Sequence, residues 1–348
     1  MRTFDCTCGN QLFFENTHCT SCHSDLGFCP ACHRLAPLKP GESGQYLCGH
    51  ADCGAVLIKC HNYAVENVCN RCITVPGEGL FGESLCDCCR FNQTIPDLSV
   101  PNNRHSWSRL EAAKRRLFYG LDLLHLPRGK AGEGIDPPLA FDFKADVVAA
   151  NVPWQTMGED RVFTGHDEGT ITINLLEVDD VERERLRVAH GERHRTLIGH
   201  FRHEIGHYYW AVLVRNHPQR EPECITRFGD HNAIDYRQAK DRYYQQGPPA
   251  DWPARFATAY ASMHPWEDFA ETFAFYLEIA SVLDTAKNMN LGGPGVTGDL
   301  EQMIREYQRL GTALNEMNRA MELKDLVARR FNEPVIEKLR FVHGLVRG

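Results

Sequence analysis

The chain has 348 residues, with 38 Lys and Arg against 46 Asp and Glu for a net charge of −8. That length allows more than one domain with a well-buried core. The acidic balance and the lack of a basic run disfavour a general binder of nucleic acid or anionic membranes. No stretch approaches the roughly 18 apolar residues of a membrane span, and "MRTFDCTCGN" lacks the apolar core of a signal peptide, so a cytoplasmic protein is expected.

Fourteen of the fifteen cysteines lie between Cys6 and Cys89. Without a secretion signal, closely paired cysteines read as metal thiolates rather than disulfides. Pairs two residues apart suit tetrahedral zinc, because a tight knuckle aims both sulfurs at one ion. Cys6, Cys8, Cys19 and Cys22 form one set. Cys29, Cys32, Cys48 and Cys53 form another, with the turn residues of "PLKPGESGQ" fitting a ribbon hairpin between its halves. A third set draws on Cys69, Cys86 and Cys89, completed by either Cys60 or Cys72, which leaves Cys88 over. About three structural zinc ions are therefore expected, stapling a segment too poor in large apolar residues to fold without them. Over residues 1–100, six Lys and Arg stand against ten Asp and Glu, a balance that favours a protein partner over nucleic acid.

The stretch "FNQTIPDLSVPNNRHSW", rich in Pro, Asn and Ser, follows the last of these cysteines. It divides a Cys-rich region, residues 1–98, from a globular domain, residues 99–348. Residues 105–125 carry apolar positions at helical spacing, namely Leu110, Leu117, Leu121 and Leu124. "PLAFDFKADVVA" and "GTITINLL" read as strands. Two helices follow with a break at Gly191, the second bearing a core-facing stripe of Leu197, Phe201, Ile205, Tyr208 and Val212. A strand just ahead of this helix is well placed to flank a cleft and pair with an extended substrate.

Within that second helix, "GHFRHEIGHYYW" places His203 and His207 one turn apart, so both imidazoles can meet one ion. Glu204 projects beside them, where it could take a proton from a metal-bound water. His190, His194 and His200 lie nearby, so the short motif alone does not separate a site from a His-rich surface. A third ligand decides the matter. A helix expected within the segment 260–280 carries Glu267 and Glu271 four apart, beside an apolar stripe. Two carboxylates there are costly unless solvated or bound. A metal ligand and a partner for a metal-bound imidazole would account for both. His264 and Asp268 are further ligand candidates, although His264, preceding Pro265, suits a helix cap better.

H-E-x-x-H followed by Glu-x-x-x-Glu on a later helix resembles the gluzincin arrangement. The segments "RTLIGHFRHEIGHYYW", "FGDHNAIDYRQAKDRYY", "AYASMHPWEDFAETFAFYL" and "VLDTA" resemble bacterial zinc-binding metallopeptidases that carry an N-terminal zinc ribbon. "RFNQTIPDLS" is similar to that family's junction. The resemblance implies an α+β fold. A rubredoxin-like zinc-ribbon region would precede a zincin-like, mostly helical peptidase domain with a small sheet bearing an edge strand. It further implies one catalytic zinc held by His203, His207 and Glu267, with Glu204 as general base and Glu271 behind a ligand. The later helix is also similar to that of the catalytic domain of anthrax lethal factor, where a tyrosine seven residues before the glutamate ligand lies at the active site. Tyr260 occupies that offset and could donate to a developing oxyanion.

The function expected is a zinc-dependent metallopeptidase acting on a peptide or protein substrate. The alternative is a zinc-stabilised interaction or regulatory protein with a vestigial hydrolase site, which has no need of Glu204.

Overall fold

A computed structural model describes residues 1–75, 84–146, 162–189, 196–327 and 331–348. The break expected at Gly191, and the end of the strand expected through residue 149, lie outside these residues. The chain combines a cysteine-rich zinc-ribbon region with a largely helical second half.

Strands β1 (Phe4–Asp5) and β2 (Gln11–Leu12) pair antiparallel around the first cysteine knuckle. Strands β3 (Leu26–Cys29), β4 (Arg34–Pro40), β5 (Tyr46–Cys48), β6 (Val56–Lys59) and β7 (Cys72–Thr74) then form an antiparallel meander in chain order. The predicted hairpin around "PLKPGESGQ" is the β4–β5 turn. One turn of helix, α1 (His61–Ala64), separates β6 from β7. The meander curls until Phe28 bridges Arg71. Gly27 permits that closure, since a Cβ there would lie 2.4 Å from Cys72 Sγ.

The second sheet has the order β10–β11–β9–β8. Strand β8 (Asn92–Thr94) comes from the Cys-rich side of the chain yet pairs in parallel with β9 (Ala140–Lys144). Between them in sequence runs α2 (Asn103–Leu123), which buries Trp107, Leu110, Leu117 and Leu121 along one stripe. Strand β10 (Gly165–Asp167) is an edge, antiparallel to β11 (Thr170–Asn174), and β11 runs parallel to β9. The alternation in "TITIN" does what period-two patterning requires, burying Ile171 and Ile173. The strand nearest the helix that follows is therefore not the predicted "GTITINLL", which lies inside the sheet, but β10 ahead of it.

Helix α3 (Asp180–Ala189) leads to α4 (Leu197–Leu213), where Thr196 caps the N-terminus by accepting from the Gly199 amide at 3.0 Å. Helices α5 (Arg220–Phe228) and α6 (Tyr236–Gln246) follow. The helix expected within residues 260–280 begins at Pro265, behind the cap expected at His264. Residues Tyr260–Ser262 form a 3-10 turn, and His264 is extended, as the residue before a proline prefers. Its imidazole caps α7 (Pro265–Asn288), accepting from the Trp266 amide at 3.1 Å. The helix also runs past residue 280, because Leu283 and Ala286 prolong its buried stripe. Helices α8 (Leu300–Ala320) and α9 (Glu333–Arg347) pack against α7.

Helices α4 and α7 cross at Gly206. A Cβ on that glycine would lie 2.9 Å from both the Cα and the carbonyl oxygen of Ala270, and backbone cannot yield. Alanine normally favours a helix interior over glycine by about 1 kcal/mol. Overpacking here should reverse that sign. Gly206→Ala is expected to lower stability by about 1–3 kcal/mol in thermal or urea denaturation, and equal or greater stability would contradict the close crossing.

Candidate metal centre

Each four-cysteine set comes together in space. Sulfur pairs stand 3.6 Å (Cys6 and Cys22) and 3.7 Å (Cys8 and Cys19) apart in the first. They stand 3.7 Å (Cys29 and Cys53) and 3.9 Å (Cys32 and Cys48) apart in the second. In the third, Cys69 and Cys86 are 3.8 Å apart, with Cys60 and Cys89 alongside. A disulfide would bring sulfurs to about 2.05 Å. Four ligands about 2.3 Å from a tetrahedral zinc lie about 3.8 Å apart, and that is the spacing here.

Cys60 rather than Cys72 is the fourth member of the third set. Cys72 sits within β7, buried beneath Gly27, and burial pushes its thiol up to about 12. Cys88 is buried outside every set. Backbone amides aim at the third set's sulfurs, from Arg71 to Cys69 at 3.3 Å and from Cys86 to Cys60 at 3.3 Å. These donors favour thiolates. On the far side, Cys89 Sγ lies 3.9 Å from Glu111 Oε2, and Glu111 pairs with Lys114 at 3.0 Å, both fully buried on α2.

The second half holds the remaining group. His203, Glu204 and His207 share one face of α4, and α7 brings Glu267 opposite them. The two Nε2 atoms are 3.1 Å apart. Glu267 Oε2 lies 3.0 Å from His203 Nε2 and 3.4 Å from His207 Nε2. Nitrogen and oxygen ligands about 2.0–2.1 Å from a tetrahedral zinc would be about 3.3 Å apart. Glu267 Oε2 is buried with no hydrogen-bond donor aimed at it, so a cation at the centre of this triangle would satisfy an orphan acceptor. The three residues fit zinc.

Electrostatics point the same way. Burial would lower the His203 imidazole, yet Glu267 and Glu271 hold it well above its ordinary value. Burial would raise Glu267, but His207 and His203 hold it well below. The cluster thus demands positive charge. Glu271 Oε1 lies 2.7 Å from His203 Nδ1, which fixes that ring with Nε2 turned inward. Glu204 is buried, and burial raises its carboxyl above the ordinary range against the opposing pull of the two imidazoles.

Of the other sequence candidates, Tyr260 stands over His203 with ring centroids 5.9 Å apart. Burial, with the charge of Glu267, pushes its phenol well above the usual value and keeps it a donor. His264 caps α7 and bonds the Ile234 carbonyl at 3.2 Å, while Asp268 pairs with Lys338 at 2.6 Å. Neither joins the triangle. His200 pairs instead with Glu177 at 2.9 Å. Two further groups near the triangle carry no motif that marks them in the sequence. Tyr236 donates to Glu267 Oε1 at 2.7 Å. His166 on β10 stacks near His207 at 6.2 Å, and burial, with His207, pushes its imidazole down to about 3. The segment "FGDHNAIDYRQAKDRYY" holds the signal for Tyr236, but only as a stretch of family likeness.

A family model described as "Putative zinc-binding metallo-peptidase" matches residues 103–345, and a zinc-ribbon domain model matches residues 3–100. An uncharacterized protein of Mycobacterium bovis is 37% identical over 99% of this chain and 95% of its own length. Uncharacterized proteins of two Mycobacterium tuberculosis strains match to the same 37% and the same coverage. No solved structure matches the chain.

Zinc analysis of single variants tests the cysteine assignment. Cys60→Ser should lose one zinc per chain, whereas Cys72→Ser and Cys88→Ser should lose none; the reverse pattern would place Cys72 in the site. Glu271→Ala should keep its zinc at saturation but bind it about 10- to 100-fold more weakly in chelator competition.

Proposed function

Because the chain belongs to the putative zinc-binding metallo-peptidase family, we propose that it is a zinc-dependent peptidase whose general base is Glu204. The observation that carries this reading is the inward triangle of His203, His207 and Glu267, with a buried carboxylate set beside it. A purely structural ion has no use for such a carboxylate, and this favours an enzyme over an interaction protein with a vestigial site. The ion count proposed is one catalytic and about three structural zinc.

Zinc held by three protein ligands supplies Lewis acidity, polarising a peptide carbonyl and making water a stronger acid. Glu204 acts as proton acceptor from the attacking water. The same carboxyl is placed to return the proton to the leaving amine. Tyr260, protonated beside His203, donates to the negative charge that develops on the carbonyl oxygen. The outer edge of β10, unpaired among the described residues and next to α4, pairs with an extended substrate backbone. The acidic ribbon region is proposed to contact a protein partner, with no nucleic acid or membrane involved, and its thiolates suit the reducing cytoplasm.

Glu204→Gln should retain the full zinc content while hydrolysis of an unstructured protein substrate falls by at least about 10²- to 10⁴-fold. Wild-type turnover in that variant would rule out Glu204 as the base. Glu267→Ala should lose one zinc per chain, and full zinc content there would remove Glu267 from the ligand set.

A further inference from the structure

The two oxygens of Glu267 face different partners. Oε2 points at the two imidazoles, 3.0 Å from His203 Nε2 and 3.4 Å from His207 Nε2. Oε1 accepts a 2.7 Å hydrogen bond from the phenol of Tyr236, which lies 31 residues earlier in the chain. A carboxylate free to rotate could offer a metal ion one oxygen or both. With one oxygen held by a neutral donor, it offers the other.

The phenol is itself held in place. Tyr236 opens α6, and Asp235 fixes that start by accepting from the Gln238 amide at 2.9 Å. The preceding residue, Ile234, accepts from His264 Nε2 at 3.2 Å, and the same imidazole caps α7. The start of α6 is therefore tied to the start of α7 within one turn of Glu267. The Tyr236 ring meets Trp266 and His264 edge-on, at 5.8 and 5.3 Å between centroids. Trp266 in turn packs on His207 at 4.0 Å. Backbone and ring contacts direct the hydroxyl to Glu267 Oε1.

We infer that Tyr236 is the positioning residue of the glutamate ligand. Its hydroxyl holds Oε1 of Glu267 so that the carboxylate meets the ion through Oε2 alone, keeping a coordination place open for water or substrate. The role parallels that of Glu271 on His203, so two of the three ligands each have a dedicated hydrogen-bond partner from outside the triangle. The inference rests on Glu267 being a ligand.

Tyr236→Phe removes the hydroxyl and little else. In the full-length protein, this variant should bind the same number of zinc ions at saturation. Competition with a chromophoric chelator should show one zinc held about 10- to 100-fold more weakly than in the wild type. Cobalt exchanged into that chelator-labile site should give an altered visible absorption, because a released carboxylate changes the coordination number. Wild-type affinity with a wild-type cobalt spectrum in Tyr236→Phe would overturn the inference. So would weakening of all the zinc sites together, which would mark a general structural role. Failure of the ligand reading is seen separately, as full zinc content in Glu267→Ala.

Discussion

Helices α4 and α7 meet backbone to backbone where Gly206 faces Ala270, and nothing larger than a hydrogen fits between them. Everything at the centre depends on that approach. Imidazoles reach only a few ångströms from their helix, so a more distant α7 would leave Glu267 short of the ion and Glu271 short of His203. The glycine lies inside the His-Glu-x-x-His motif, between Glu204 and His207. One short stretch thus holds two of the proposed ligands, the proposed base and the space that lets the third proposed ligand arrive. The burial of Phe201, Ile205, Phe269 and Phe273 on and beside that contact supplies the apolar driving force for it.

Around the third cysteine set, charged side chains and candidate metal ligands are arranged together. A zinc with four thiolates carries a net negative charge, and a fully buried site needs compensation nearby. Lys114, flanked by the rings of Phe141 and Phe143 at 5.4 and 5.3 Å, is balanced by its partner Glu111, so the surplus positive charge comes from Arg115, which works against burial to lower the Cys69 thiol. Arg115 donates to the Val68 carbonyl at 2.7 Å, adding a second tie between α2 and the cysteine loop. The first cysteine set differs, lying over a small separate core of Phe4, Leu12, Phe14 and Phe28.

Much of this is readable in the sequence, for physical reasons that differ between residues. That His203 and His207 share one helix face follows from their spacing, and the later pair of glutamates separates them from the other nearby histidines. Two carboxylates on an apolar helix require solvent, a partner or an ion, and that requirement is already present in the order of the residues. The choice between Cys60 and Cys72 is not readable. Cys69-x-x-Cys72 looks like a zinc knuckle, but Cys72 is committed to β7 opposite Lys59, and that pairing turns its sulfur away. Tyr236 is equally hidden, since its partner lies 31 residues on and the intervening turns set their meeting. The helix entry is readable too, because His264 has to be extended before a proline and so caps the helix that Pro265 opens. Strand β8, three residues long, carries too little pattern to be seen, and its pairing is with a strand far along the chain.

That last strand bears on how separable the two halves are. Asn92–Thr94 lie in the junction stretch on the Cys-rich side of residue 98, yet they form one border of the second half's sheet. A chain cut at the junction would strip β9 of a neighbour and uncover the Phe91 ring that packs on Phe118. The bared strand would become an open edge of the kind that recruits other chains. The ribbon is therefore not a detachable accessory, and recombination of the two modules in evolution would have to carry the border strand with the peptidase half.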